Sequence, residues 1–187
     1  MAHVQIIMGS VRPHRIGQQI SPFILRLAHE VGLPDAEIID LRDWPLALDD
    51  EPDQPSKGVY MQETTRRWSA KIAQADGFVF LSPQYNWSYP AALKNALDHL
   101  YREWHGKPAL VISYGHRGGG RAATHLQQVL EGLRMKPIAQ MPTITFDESM
   151  LDSGRLLKQA EADLAPFFPD IKSGLAALKV RLTAETC

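Results

Sequence analysis

The chain has 187 residues, 44% of them hydrophobic and 22% charged, which suits one globular domain over residues 1–187 and excludes a disordered or fibrous chain. Lys and Arg number 20 against 21 Asp and Glu, so bulk charge gives no footing for a nucleic-acid partner. The lone cysteine, Cys187, is the last residue, which excludes an internal disulfide and points to a reducing, cytoplasmic setting.

Short β-branched runs then alternate with longer amphipathic stretches. Residues 3–8 (HVQIIM) read as a buried strand ended by Gly9, with no signal-peptide pattern before it. Residues 17–31 carry Ile20, Phe23, Ile24, Leu27 and Val31 at helical spacing, with Pro22 placed in about the first turn, where proline is best tolerated. A second strand covers residues 36–41. A Pro- and Asp-rich stretch, 42–58, is long for a loop in a compact domain. A helix over 59–75 leads to a third strand at 77–82 (GFVFLS), the clearest apolar run in the chain. A helix at 90–101, a fourth strand at 109–114, a helix at 122–133 and a weaker fifth strand at 138–146, interrupted by Pro142, complete the pattern. No run approaches membrane-spanning length.

Five strands alternating with helices predict an α/β fold: a parallel, doubly wound sheet with helices on both faces. Ligands of such sheets sit beyond the carboxyl ends of the strands, where the strand order switches. Loops 9–16, 83–89 and 115–121 fall there.

The first loop, GSVRPHRIG, joins a strand to a helix N-terminus, whose free N–H groups and dipole favour an anion. Ser10 offers a hydroxyl, and Arg12 and Arg15 offer forked hydrogen bonds to phosphate oxygens. The loop lacks the Gly-Lys-Ser/Thr ending of a triphosphate loop and the three-glycine dinucleotide fingerprint, so a monophosphate fits better. A solvated loop with both arginines in water is the plain alternative. The second loop, SPQYNWSYP, places Tyr85, Trp87 and Tyr89 among Gln84 and Asn86: apolar faces and polar edges for a flat heterocycle, or else an aromatic cluster in a core or interface. The third, GHRGGGR, lets backbone N–H groups approach a ligand closely, or forms only a flexible turn.

GSVRPHR (9–15), PQYNWSYPAALKNALD (83–98) and SYGHRGGGRA (113–122) together resemble the NAD(P)H-dependent FMN reductases of the flavodoxin-like superfamily. The second segment is the most specific, and the resemblance fades beyond about residue 146. It implies FMN phosphate on Ser10, Arg12 and the start of the first helix, at Arg15, Ile16, Gly17 and Gln18. It implies ring contacts from Pro83, Gln84, Tyr85, Asn86 and Trp87, and a pyrimidine-side border from Ser113, Tyr114, Gly115, Gly118 and Gly119. It also implies NADPH or NADH as electron donor, a small acceptor such as a quinone, free flavin, azo dye or metal oxyanion, and a homodimer or homotetramer. Many relatives carry Glu in place of Gln84 and Gly in place of Trp87.

Because the two cofactors carry hydride transfer, no catalytic acid, base or nucleophile is expected, and no His stands at metal-ligand spacing. An electron-carrier flavodoxin, a redox-sensing FMN protein and a flavin-free scaffold are the competing readings.

Overall fold

A computed structural model describes residues 2–48 and 50–184; Met1, Asp49 and the C-terminal 185–187, with Cys187, lie outside it. The parallel strands are β1 (Val4–Met8), β2 (Ala36–Asp40), β3 (Gly77–Pro83), β4 (Pro108–Gly115), β5 (Lys136–Pro137) and β6 (Thr143–Thr145). The helices are α1 (Gly17–Glu30), α2 (Glu63–Ala73), α3 (Ala91–Asp98), α4 (Gly120–Gly132), α5 (Ala160–Leu164) and α6 (Phe168–Ala184). The sheet runs β2-β1-β3-β4-β5, with β6 also beside β4. The order therefore reverses between β1 and β3. The sheet is parallel and doubly wound, as the alternating pattern predicts, and its strand order is the flavodoxin-like one that the family resemblance implies.

Side chains alternate across the central strands, so each face has its own core. Ile6, Val79, Leu81, Leu110 and Ile112 face α1 and α6, meeting Ile20, Ile24, Leu175 and Leu178. Ile7, Phe78, Phe80, Ala109 and Val111 face α2, α3 and α4. There Trp68 and Trp104 are fully buried, and each indole N–H is satisfied, by the Ala96 carbonyl at 2.8 Å and the Leu97 carbonyl at 3.2 Å. Each such ring contributes on the order of 2–3 kcal/mol by leaving water.

Four boundaries differ from the sequence reading. Pro22 is the sixth residue of α1, not a first-turn residue. Its missing N–H leaves the Gln18 carbonyl without its helical donor, and Gln18 is exposed, where solvent can take that place. The helix expected over 59–75 starts only at Glu63, because the Glu51 carboxylate takes the N–H groups of Met61 (2.8 Å) and Gln62 (3.0 Å). α3 stops at Asp98, and a separate 3₁₀ turn, Arg102–Trp104, follows. The fifth strand is two pieces. β5 pairs with the start of β4, the chain leaves the sheet before Pro142, and β6 returns beside Ser113–Gly115. That return extends the sheet at its carboxyl end and delivers Phe146 to the same edge as the loops after β1, β3 and β4.

Candidate active site at the carboxyl edge of the sheet

A pocket of about 630 Å³ opens where the strand order reverses. That volume is in the range of small-molecule sites. Arg12, Arg15 and Ile16 line it from the loop after β1, Pro83, Gln84 and Tyr85 from the loop after β3, and Tyr114, Gly115, His116, Arg117 and Gly119 from the end of β4. A second cavity of similar volume lies under residues 48–60, but Asp50, Glu51, Asp53 and Asp98 line it, and they would repel a phosphate. The described part of stretch 42–58 borders that cavity and a neighbouring groove, not the cationic pocket.

The first loop is closed by its own arginine. Arg15 is 3% exposed; its guanidinium donates to the Ser10 carbonyl at 3.0 Å and pairs with Asp40 at the end of β2. The charge that the sequence reading offers to a phosphate is thus neutralised inside the protein. The N–H groups of His14, Arg15 and Ile16 meet no acceptor among the described residues. At the helix start the Tyr114 hydroxyl lies against the Gly17 backbone, and the Gln18 N–H donates to the Arg15 carbonyl at 3.2 Å. A Cβ on Gly17 would lie 2.9 Å from that hydroxyl, so glycine is what lets Tyr114 reach the helix end. Burial first, and the neighbouring Tyr85 second, push the Tyr114 phenol well above its ordinary pKa, so it stays protonated.

Ser10 is joined to the second loop. Its hydroxyl lies 2.6 Å from that of Tyr85, and the Arg12 guanidinium sits 3.8 Å above the Tyr85 ring. Beyond Tyr85 the chain turns in a two-residue hairpin: Tyr85 and Ser88 exchange both backbone hydrogen bonds, and Asn86 and Trp87 have φ of 44° and 75°. Trp87 is 54% exposed, with the Arg121 guanidinium 3.2 Å from its ring centroid.

The third loop is narrower than its glycines suggest, because α4 begins at Gly120 and the left-handed Gly119 is its cap. A Cβ on Gly119 would lie 3.0–3.1 Å from Ser113 and the Tyr114 backbone, so bare backbone is required there. A Cβ on Gly115, which lines the pocket, would meet nothing within 4 Å beyond its chain neighbours. The arrangement fits a flat ring with a phosphate tail: unpaired N–H groups and Arg12 for the anion, and the bare backbone at Gly115 and Gly119 for close approach of the ring.

Residues 2–148 match the family described as NADPH-dependent FMN reductase. The chain belongs to that family. It is similar to an NAD(P)H-dependent FMN reductase of Schizosaccharomyces pombe, 48% identical over 153 residues, which cover 81% of this chain and 76% of the relative. It is also similar to a quinone reductase of Pseudomonas putida, 33% identical over 176 residues, covering 88% and 89%. In fold it matches FerB, a flavoenzyme NAD(P)H:(acceptor) oxidoreductase from Paracoccus denitrificans, with a TM-score of 0.71, 21% identity, and 97% and 99% of the two chains covered. The protein is thus an FMN-dependent oxidoreductase that draws on NADPH or NADH.

Of the residues that the sequence points to, this reductase brings Arg12, Arg15, Ile16, Pro83, Gln84, Tyr85, Tyr114, Gly115 and Gly119 to the pocket wall. Ser10 and Gly17 stand behind the wall as partners of Tyr85 and Tyr114. Ser113 donates to the Gly118 carbonyl at 2.8 Å, and Gly118 packs on Thr143, so both shape the loop from within. Gln18, Asn86 and Trp87 lie off the wall. Phe146, Leu151, Ser153, Gly154 and Arg155 also line the pocket, and no motif in the sequence marks them.

Proposed function

We propose that the reductase holds FMN in this pocket and passes hydride from NAD(P)H through it to a small acceptor, a quinone or a free flavin. The observation that carries the reading is the pocket's lining: unpaired N–H groups and Arg12 from the loop after β1, with the Tyr85 ring beneath Arg12, meet the bare backbone of Gly115 and Gly119 at the end of β4. The quinone reductase of Pseudomonas putida supports the acceptor class.

FMN, when bound, supplies the two-electron chemistry. The residues of the chain bind and orient. Arg12 and the loop N–H groups hold phosphate, with Ser10 fixing the Tyr85 phenol that Arg12 covers. Gln84 is held by two hydrogen bonds, its N–H to the Tyr114 carbonyl at 3.1 Å and its Oε1 accepting from the Ala122 N–H at 3.3 Å. Because an N–H donor fixes Oε1, the side chain keeps an NH₂ group for a carbonyl oxygen. Backbone N–H groups of the glycine-rich third loop offset negative charge on the ring. A single site serves donor and acceptor in turn. The chain works as one domain in the cytoplasm, as a homodimer or homotetramer; exposed Val11, Leu48 and Trp87 support self-association, and the lone cysteine supports a reducing compartment.

The test is the visible spectrum of the FMN-loaded protein before and after anaerobic NADPH, followed by a quinone. Rapid bleaching and rapid recovery are expected. Retained flavin that neither nucleotide bleaches would replace this reading with an electron carrier, and failure to bind FMN in a titration would overturn it.

A further inference from the structure

The family match ends at residue 148, yet the pocket does not. Leu151, Ser153, Gly154 and Arg155 belong to a hairpin-like loop that the fold has gone to some lengths to fix. Leu151 and Leu157 are buried and bridge to each other. The Asp152 N–H donates to the Leu156 carbonyl at 2.8 Å, and the Asp152 carboxylate accepts the Leu156 N–H at 2.9 Å. Gln19 on α1 clamps the base from outside: its NH₂ donates to the Leu157 carbonyl at 3.0 Å, and its oxygen accepts the Leu157 N–H at 2.8 Å.

The loop's rim residue is Arg155, at φ 62°. Glycine or asparagine would occupy that left-handed position at less cost than this arginine. Its guanidinium meets both oxygens of Glu148, at 2.9 and 3.1 Å, and Glu148 also lies 3.4 Å from His116 on the third loop. Both partners are more than half exposed, and water screens such a pair, so little is lost when it opens. Arg117, next to His116 on the same pocket wall, is exposed and pairs with no described residue.

We propose that Arg155 determines nucleotide choice, releasing Glu148 to take the 2′-phosphate of NADPH, with Arg117 and His116 beside it. This rests on the reading that NAD(P)H enters this pocket. A guanidinium that already holds a carboxylate with both arms presents the donor geometry that a phosphate needs. The dianion brings more charge than the carboxylate it displaces, and Glu148 keeps His116 as a partner. NADH offers only a hydroxyl at the same place, which cannot compete for the guanidinium.

The experiment compares binding of adenosine 2′,5′-bisphosphate and 5′-AMP to the FMN-loaded protein, by calorimetry, in wild type, Arg155→Gly and Glu148→Gln. Arg155→Gly suits the left-handed backbone, so loss of fold does not confuse the result. Wild type should bind the bisphosphate roughly tenfold or more tightly than 5′-AMP. Arg155→Gly should bind the two alike, Glu148→Gln should bind the bisphosphate more tightly, and the NADPH-to-NADH ratio of kcat/KM should follow. A wild-type protein that does not distinguish the two nucleotides, or an Arg155→Gly protein that still does, overturns the proposal. Absence of flavin bleaching with either nucleotide would instead overturn the oxidoreductase reading, and the binding comparison would still decide the phosphate site.

Discussion

The hydroxyls of Ser10 and Tyr85 lie 2.6 Å apart and tie the loop after β1 to the loop after β3, across the line where the strand order reverses. Tyr85→Phe removes that tie without changing the ring or the space it fills. The expected loss is about 1 kcal/mol in folding stability, with a several-fold weaker hold on FMN, read by denaturant unfolding and by flavin titration. An unchanged flavin affinity would mean that the two loops position the cofactor independently.

The ion pair of Arg15 and Asp40 is lopsided, with 1% of the arginine side chain exposed and 19% of the aspartate. Asp40→Asn strands a buried guanidinium and should cost about 3 kcal/mol. Arg15→Met should cost less, because the aspartate left behind can still reach water. Denaturant midpoints of the two variants check the order.

Trp87 should be replaceable by glycine with a gain. At φ 75°, in the second place of a two-residue hairpin turn, the turn holds tryptophan in a backbone conformation that glycine adopts freely. Trp87→Gly is expected to stabilise the fold by about 1 kcal/mol, less whatever the stacked Arg121 contributes. A lower melting temperature would show that the Arg121 contact outweighs the strain.

At the opposite edge of the sheet, Glu37 receives Lys71 at 2.7 Å and His3 at 2.8 Å. Burial raises its pKa, but the hydrogen bonds from Lys71 and His3 outweigh burial, and the carboxyl sits below its ordinary value. A depressed folded pKa stabilises the protein above the unfolded value of 4.5 and loses that stability as pH falls through the folded pKa. Glu37→Gln should therefore be less stable than wild type at pH 7, and the gap should narrow below about pH 4.5. Urea titrations at pH 7 and pH 3.5 give the comparison.

How much of this was legible beforehand depends on whether the signal was local. β1, β3 and β4 could be read because strands buried on both faces are almost continuously apolar, and the loops after them could be placed from strand order alone. The split of the last strand was harder, since Pro137 and Pro142 mark interruptions without saying which fragments rejoin the sheet. Arg15 shows the limit for side chains. Its charge and position suggested a phosphate ligand, while the acid that claims it lies 25 residues along, on another strand. The wall at 151–157 had no legible signal, because its fixing partner, Gln19, is 138 residues away.

The internal neutralisation of Arg15 has a consequence for how the reductase meets its ligands. A phosphate entering the first loop would find Arg12 as the loop's one unbalanced arginine, among uncharged N–H dipoles. Dipoles fixed by backbone act at contact range and little beyond it, and a single exposed cation is screened within about 8 Å at physiological ionic strength. Capture there would depend on fit more than on long-range attraction, and added salt would slow it only modestly.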